Sequence, residues 1–553
     1  MNTAVRKWDL LRAAREMNDR GLVKSARWAS ELAITLPRTA PPDGWRQSQL
    51  DDWNDLDEYD SYSLSKSCFD CKEFDRAAFY LKGCTSLPCV FLRGYSAFLG
   101  HKKRIVEGAC NSKDNLDSDS MLESLKAEFG TFYEKGELDG YGLYLYGIIL
   151  KELGIKGESA SIFLKSVHST PYLWSAWQEL ADACETQEDL DNLDLPSHWM
   201  ANVFKAYALV HLRSFVKALD VYKTLVATEN VSKDWLHLKS QMAIAHYGRR
   251  KFHESRQLFK EISSQDPYRL DNMDIYSNVL FVLDMKSDLS HLAHHVVIVD
   301  KYRPQTCCIV GNYCSLRGDH EKAVQYFKRA LSLDSGFSTA WTLLGHEYME
   351  LKNIAAAVET YRKAVDLDPR EFKAWYGLGQ TYEVLKMPLY SLHYYQKAYF
   401  LQPQDSRMLI ALGGTYERLK KYHLAEKYYS RAVADGDVED VAALQLAKLY
   451  EFLDEDSNAA EVYTRLARRW EETGSVASAN DVSHCYRFLV IYHMRVTKNW
   501  TAAEAFALKC CELAETMQEG KSFLQEISQL SAGATKETSA EDMPLSPADI
   551  SFT

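Results

Sequence analysis

Two tryptophans, Trp341 and Trp375, stand 34 residues apart, and the residues around them agree position by position. With Ser338 as position 1, large side chains occupy positions 4, 7, 11 and 24, and small ones occupy positions 8, 20 and 27. Pro369 at position 32 ends a helix because proline lacks the N–H and clashes with the preceding turn. A period of this length predicts pairs of helices that bury their apolar faces only by stacking on neighbouring pairs.

The same phase continues on both sides of these two tryptophans. Seven repeats begin at residues 236, 270, 304, 338, 372, 406 and 440, and the repeat at 270 is degenerate. This is the tetratricopeptide pattern, in which small residues let two helices approach and large residues fill the space between them. The sequence therefore predicts an all-α fold, a tetratricopeptide-repeat superhelical solenoid.

Weaker matches and shifts in composition predict the organisation of the remaining chain. An amphipathic pattern stopped by Pro37 predicts an N-terminal helical hairpin, and a polar Ser/Thr/Glu-rich composition predicts a disordered C-terminal tail. The predicted segments are the hairpin over 1–37, an acidic linker over 38–60, irregular repeats over 61–235, the in-phase repeats over 236–473, a C-terminal repeat with a capping helix over 484–530, and the tail over 531–553.

Charge and hydropathy exclude several kinds of partner. The formal net charge is -12 and Lys/Arg residues are not clustered, which argues against a nucleic-acid groove. No apolar run approaches the ~20 residues that a membrane helix needs. The 12 cysteines occur without an apolar N-terminal signal, so we expect reduced thiols and a location in the nucleus and cytoplasm.

Motifs for catalysis are missing from the sequence. There is no G-x-x-x-x-G-K-[ST] phosphate loop and no G-x-S-x-G elbow, and His346-Glu347 is not followed by the second His of a zinc protease motif. We therefore expect no enzyme activity, no catalytic residues, no bound metal and no cofactor. Four cysteines, Cys68, Cys71, Cys84 and Cys89, have a spacing that leaves zinc open, although packing within a helical hairpin explains them better.

A peptide-binding groove is the favoured candidate site. In arrays of this kind the first helix of each pair lines the inner face through positions 2, 5, 9, 12 and 13. Amides at these positions could hold the backbone of an extended peptide, and carboxylates could pair with its arginines. The candidate groove residues are Asn278, Asn312, His346, Glu350, Tyr376, Gln380, Glu383, Arg407 and Glu417.

Several stretches are more specific than the repeat pattern. They include GYGLYLYGIIL (140–150), CCIVGNYCSLRGDHEKAVQYFKRAL (307–331) and KAWYGLGQTYEVLKMP (373–388), together with RGLVKSARWASELAITLP near the N-terminus. With these stretches the chain resembles the cell division cycle protein 23 family, subunits of the anaphase-promoting complex (cyclosome). The resemblance covers roughly residues 6 to 530.

The resemblance implies a non-catalytic scaffold subunit of a ubiquitin ligase that promotes mitotic progression and exit. It implies a homodimer formed through the N-terminal repeats, and contacts with related tetratricopeptide dimers and with large scaffold subunits. It also implies that the C-terminal groove receives a basic box motif of a coactivator. The alternative is a tetratricopeptide co-chaperone or another peptide-binding adaptor, which would need several Lys/Arg on the inner face.

Overall fold

Helices connected by short turns build the chain in this computed structural model. The structure describes residues 3–37, 56–108, 114–228, 234–403, 405–436, 440–473, 478–513 and 516–541, and no strand occurs among them. Two compact units divide the chain, unit 1 at Met1–Lys301 and unit 2 at Tyr302–Thr553. Within the described ranges, no helix combines the length and the apolar character needed to cross a membrane.

Unit 1 opens with a helical hairpin and continues with stacked helix pairs. Its described helices are α1 (Thr3–Asp19), α2 (Val23–Thr35), α3 (Leu56–Asp70), α4 (Phe74–Tyr80), α5 (Leu87–Gly108), α6 (Asp114–Glu134), α7 (Gly140–Glu152), α8 (Lys156–Ser169), α9 (Trp174–Ala183), α10 (Gln187–Asp191), α11 (Trp199–His211), α12 (Phe215–Thr228), α13 (Leu236–Gly248), α14 (Phe252–Gln265), α15 (Met273–Val282) and α16 (Lys286–Val299).

Unit 2 is a regular stack of pairs with a longer helix at its end. Its described helices are α17 (Pro304–Leu316), α18 (His320–Leu333), α19 (Ser338–Glu350), α20 (Ile354–Leu367), α21 (Phe372–Val384), α22 (Pro388–Leu401), α23 (Ser406–Arg418), α24 (Tyr422–Ala434), α25 (Val441–Phe452), α26 (Asp456–Thr473), α27 (Ala479–Tyr492), α28 (Trp500–Glu512) and α29 (Met517–Glu541). A π-helical turn, His493–Thr497, connects α27 to α28.

The repeat phase agrees closely with the helix boundaries. First helices begin at residues 236, 304, 338, 372 and 406 as the phase predicts, and α15 and α25 begin at Met273 and Val441 instead of 270 and 440. The all-α tetratricopeptide-repeat fold is thereby confirmed.

The predicted segment boundaries differ from the helix boundaries at two places. Helix α3 starts at Leu56, inside the predicted linker, and α29 continues to Glu541, inside the predicted tail. Ala, Glu and Lys between 531 and 541 are good helix formers, which accounts for the longer α29. Residues 38–55 of the linker and 542–553 of the tail lie outside the described residues.

An aromatic ring at position 24 is the centre of each regular repeat. Tyr361, Tyr395 and Tyr429 are at most 2% exposed, and each ring lies against the glycine at position 8 of its own repeat. A Cβ added to Gly345 would come within 2.5 Å of the Tyr361 ring. The ring of the facing helix therefore requires a small residue at position 8. The Ala or Ser at position 20 is also fully buried.

The repeat at 270 departs from this packing. Its position 24 is Ala293 rather than an aromatic residue, whereas positions 20 and 27 hold the larger Leu289 and Val296. All three side chains are buried. The bulk that position 24 lacks is supplied at positions 20 and 27 on the same face of α16, which explains why the sequence pattern is degenerate here while the fold persists.

Position 15, between the two helices of a pair, takes a left-handed backbone in all the in-phase repeats. These residues are Arg250, Asp284, Gly318, Lys352, Lys386, Lys420 and Asp454, with φ between 51° and 81°. In each turn the next residue's N–H bonds the carbonyl at position 11, as from Met387 to Tyr382 (2.9 Å). This closure satisfies a carbonyl at the helix end and reverses the chain in few residues.

The N-terminal hairpin lies along the first helices of the following repeats in unit 1. Trp28 of α2 stacks on Trp174 of α9, with ring centroids 4.6 Å apart and planes at 4°. Trp28 also meets Trp235 edge-on at 5.1 Å. Farther along, Arg27 pairs with Asp271 at 2.7 Å. A segment of the same chain therefore packs against residues at the starts of α9, α13 and α15.

Adjacent glycines on α23 offer a direct test of the ring-to-glycine packing. Gly413→Ala places a methyl group into the Tyr429 ring, while the same change at Gly414 meets only the Tyr429 hydroxyl at 3.5 Å. We expect Gly413→Ala to lower the free energy of unfolding by roughly 1–3 kcal/mol, the usual cost of overpacking. Gly414→Ala should leave it unchanged or raise it by up to about 1 kcal/mol, because alanine is the better helix former. Equal effects of the two changes in thermal unfolding would contradict the role of this packing.

Candidate functional site

The nine candidate groove residues all lie on first helices of repeats. Asn278 is on α15 in unit 1, and the other eight are on α17, α19, α21 and α23 in unit 2. In unit 2, one cluster of these residues surrounds the phenol of Tyr376. Gln380, Glu383 and Arg407 lie close enough to this phenol to affect its pKa. Whether these residues bind a peptide stays a prediction.

A tyrosine–glutamate hydrogen bond recurs at the edge of this surface. The hydroxyl of Tyr395 at position 24 donates to Glu383 at position 12 (2.5 Å), and Tyr429 donates likewise to Glu417 (3.1 Å). Tyr463 donates to Glu451 at 3.2 Å, one repeat farther on. Burial and the nearby Glu383 carboxylate raise the pKa of Tyr395, so the phenol stays protonated and remains a donor.

Glu383 has a second partner in the next repeat. Its Oε1 accepts from Nη2 of Arg418 at 2.6 Å, while Oε2 accepts from Tyr395. The Tyr376 ring lies 5.3 Å from the Tyr395 ring. Glu383 thus connects two neighbouring repeats and acts as a structural carboxylate as well as a groove acid.

In the repeat at 338, position 12 is Met349, and the hydrogen-bond partner of the position 24 tyrosine is His346 at position 9. The Tyr361 hydroxyl lies 2.8 Å from Nδ1 of His346, and we assign the phenol as donor because burial keeps the imidazole neutral. Burial lowers the pKa of His346 to about 4, and Lys373 nearby acts in the same direction. This histidine is thus part of the packing at physiological pH rather than a charged contact for a ligand.

Two of the candidate groove residues, Asn312 and Glu350, differ in their exposure to solvent. Asn312 is only 3% exposed, so its amide is part of the interior of its repeat. Glu350, at the end of α19, is exposed. Nearby, buried Glu347 accepts from Nδ1 of His320 at 2.9 Å. Glu350 is consequently the more accessible of these acids on α19.

Three basic side chains on this face are paired with acids. Arg407 makes a two-pronged contact with Asp405, the shorter distance being 2.7 Å. Arg418 pairs with Glu383, and Lys448 lies 2.9 Å from Asp481. The face therefore presents a neutral-to-acidic surface, which suits a basic segment better than the acidic peptide of a co-chaperone clamp.

The tyrosine–glutamate pairs are not among the features predicted from the sequence, although a signal for them exists. Glu383, Glu417 and Glu451 are 34 residues apart, and a tyrosine follows each of them 12 positions later. This double period distinguishes a carboxylate that holds a ring from one that faces solvent. Position 12 alone does not make that distinction.

The four cysteines whose spacing leaves zinc open form no metal cluster among the described residues. Cys68 and Cys89 are buried, Cys84 is half-buried and Cys71 is exposed. No group of three or more His, Cys, Asp or Glu that could hold a metal ion is found among the described residues. Burial raises the pKa of the Cys89 thiol to about 12, as expected for a packed, protonated cysteine.

Stability in mild acid should report on His346. Its folded pKa of about 4 lies below the ordinary 6.5, so the unfolded chain binds the proton first as the pH falls. The contribution is complete above pH 6.5 and is lost on the way down to pH 4, with a loss of about 2 kcal/mol by pH 5. We expect His346→Gln to flatten the dependence of the melting temperature between pH 7 and pH 5. The exposed His393→Gln is the control, and an unchanged slope for His346→Gln would contradict the assignment.

Comparisons with known proteins agree with this fold. The family model described as anaphase promoting complex subunit 8 / Cdc23 matches residues 6–243. A model described as TPR repeat matches residues 345–385. A model described as tetratricopeptide repeat matches residues 304–337 and 406–434. The family-specific match thus lies in unit 1, and the general repeat matches lie in unit 2.

Curated relatives carry the same family names. The chain is 36% identical over 483 residues to the cell division cycle protein 23 homolog of Caenorhabditis elegans, covering 85% of this chain and 70% of that protein. It is 36% identical to anaphase-promoting complex subunit 8 of Arabidopsis thaliana, covering 62% of this chain and 65% of the relative. With the human cell division cycle protein 23 homolog, identity is 41% over 52% of this chain and 49% of the relative.

A solved structure supports the fold alone. The APC/C hetero-tetramer Cut9-Hcn1 has a chain that superposes with a TM-score of 0.52 at 15% identity, covering 86% of this chain and 96% of that chain. The family itself follows from the sequence relatives, above all from the extent of the Caenorhabditis elegans match. The chain therefore belongs to the anaphase promoting complex subunit 8 / Cdc23 family.

Proposed function

We propose that this chain is a non-catalytic scaffold subunit of an anaphase-promoting complex, a ubiquitin ligase that drives mitotic progression and exit. The observation that carries the proposal is the 36% identity that runs over 85% of the chain to a Cdc23 homolog. Stacked helix pairs supply long surfaces for other chains and suit a scaffold. We place the protein in the nucleus and cytoplasm, and assign the transfer chemistry to other subunits.

The inner face of unit 2 is proposed to receive a basic box motif of a coactivator. Glu350 is exposed, and Glu417 keeps a second carboxylate oxygen besides the one that accepts from Tyr429. An acid whose position is already fixed loses less conformational freedom when it pairs with an arginine, and Tyr429 holds Glu417 in place. The pairing of Arg407, Arg418 and Lys448 with acids reduces the positive charge that would repel such a motif.

Self-association is proposed for the N-terminal repeats of unit 1. Large apolar side chains are exposed close together in sequence on α3 to α5: Leu64, Phe79, Tyr80 and Leu87. Phe79 is 62% exposed. Exposed apolar clusters of this kind are typical of protein interfaces, and a two-fold contact uses the same patch on both copies.

Affinity purification of a tagged chain tests the scaffold and the groove together. We expect the unaltered chain to recover other complex subunits and the coactivator. Glu350→Gln with Glu417→Gln should lower coactivator recovery roughly tenfold, as expected for losing two charge-assisted contacts, and leave the other subunits unchanged. The amide oxygen introduced at position 417 can still accept from Tyr429, so the fold is preserved.

The matched control carries the same charge change on second helices. Glu359→Gln with Glu461→Gln alters two exposed acids and should leave every recovered chain unchanged. Recovery of the chain alone would contradict the scaffold proposal. Tighter binding of an acidic EEVD-ending peptide than of an arginine-containing peptide would indicate a co-chaperone instead.

Sedimentation tests the proposed dimer. We expect the 63.3 kDa chain to sediment as a dimer at micromolar concentration. Phe79→Asp should weaken the dimer by at least about tenfold, because it puts a charge into an apolar interface. Phe400→Asp, at an 82% exposed position on α22, is the control and should leave the mass unchanged. If the unaltered chain sediments as a monomer, the proposed dimer is contradicted.

A further inference from the structure

A cavity of about 370 Å³ opens between the second helices α18 and α20 of unit 2. Helix α19 forms its floor through Trp341, Leu344 and Tyr348. The exposed side chains of Lys328 and Glu359 are also part of its lining. None of the candidate groove residues lines it, so the cavity is separate from the surface proposed for the coactivator.

The two following repeats fill the equivalent place with their own aromatic rings. In the repeat at 372, Tyr394 at position 23 stacks on Tyr382 at position 11, with ring centroids 5.2 Å apart and planes at 11°. Tyr390 at position 19 stacks on the same ring at 5.5 Å. In the repeat at 406, Tyr428 stacks on Tyr416 at 5.3 Å. The position 11 tyrosine is therefore covered by a ring from the second helix of its own repeat.

The repeat at 338 keeps the position 11 tyrosine, Tyr348, without the rings that cover it elsewhere. Its positions 19 and 23 are Ala356 and Thr360, and both side chains line the cavity. Tyr348 is half-buried, whereas Tyr382 and Tyr416 are only 9% and 8% exposed. The cavity thus corresponds to the space that two rings occupy one repeat farther along the chain.

The polar groups of the cavity walls already have partners. The Thr360 hydroxyl donates to a carbonyl of its own helix at 2.9 Å. The indole N–H of Trp341 donates to the carbonyl of Ser335 at 3.0 Å, which fixes the orientation of this ring. Glu359 pairs with Lys363 at 3.0 Å. A ligand therefore gains free energy here mainly from apolar and ring contacts.

Lys328 favours an aromatic ligand over an aliphatic one. Its Nζ lies 5.8 Å from the centroid of the Tyr348 ring, within the range of a cation–π contact. One repeat farther on, the equivalent Arg362 instead donates to the hydroxyl of Tyr382 at 2.7 Å. A cation beside a cavity with a ring as its floor attracts the face of a second ring as well.

We propose that this cavity binds a tyrosine or phenylalanine side chain from a segment of a partner protein. The inserted ring stacks on Tyr348 as Tyr394 stacks on Tyr382. The occupant is argued from the chain's own packing, because the same position 11 tyrosine is covered by an aromatic ring in both following repeats. A segment held between α18 and α20 leaves the candidate groove on the first helices free.

A ligand-observed NMR titration of the full chain tests the site with defined probes. One probe is a capped pentapeptide of glycines with a central tyrosine, and the reference peptide has leucine at the centre. We expect the tyrosine peptide to receive saturation from the protein and to bind more tightly than the leucine peptide. Equal binding of the two peptides would overturn the proposal.

Two substitutions fill the cavity from within. Thr360→Tyr and Ala356→Tyr each supply a ring at a position that carries one in the repeat at 372. Either change should abolish binding of the tyrosine peptide without lowering the melting temperature, because the new ring enters existing space. Binding that persists in a folded filling variant would contradict the site.

Tyr348→Leu tests the stacking itself. It keeps an apolar floor and removes the ring, so we expect the tyrosine peptide to bind roughly three- to tenfold more weakly, as for the loss of one aromatic pair. The matched control is His393→Tyr, which adds a ring at an exposed position of α22 outside the cavity lining. This control should bind the peptide as the unaltered chain does, and a loss equal to that of Thr360→Tyr would overturn the assignment.

A second copy of the chain is the competing occupant. Thr360→Tyr should leave the sedimenting mass of the chain unchanged, because the proposed dimer lies in unit 1. A fall in mass for this variant would assign the cavity to a contact between copies and overturn the partner proposal.

Discussion

The contact between a position 24 ring and a position 8 small residue is the constraint on which the regular repeats depend. It sets the distance between the two helices of a pair, because the ring fills the space that a larger residue at position 8 would need. In three successive repeats the same ring also donates its hydroxyl to a position 12 glutamate. One side chain thus fixes the helix spacing and orients an acid at the inner face.

Much of the fold follows from the sequence because this packing dictates residue size at fixed intervals. Glycine or alanine at position 8 and an aromatic residue at position 24 are requirements of volume, and volume is visible in a single sequence. The start of α15 could not be predicted in the same way. The loop before Met273 is held by Glu31 and Arg27, which lie far away in sequence and leave no periodic signal.

The candidate site was predictable as a face but not residue by residue. Position numbers place Glu383 and Glu417 on first helices, as the structure has them. They do not reveal that each acid is already engaged by a tyrosine, or that Asn312 is buried. Those facts depend on the partner of each side chain on the facing helix, which a position number does not contain. Internal hydrogen bonds therefore hold the side chains of the groove in place. The polar atoms that these bonds do not use are the ones that a ligand can contact.

The hairpin formed by α1 and α2 gives unit 1 a different chemistry from unit 2. Trp28 packs against Trp174 and Trp235, and beside them desolvation lowers the pKa of the half-buried His237 to about 3. The hairpin thus does for unit 1 what a bound peptide does for other repeat arrays. A partner that competes for this face has to replace an indole stack and two arginine ion pairs at once. The hairpin is therefore a competitor, built into the chain itself, for anything that approaches these helix ends.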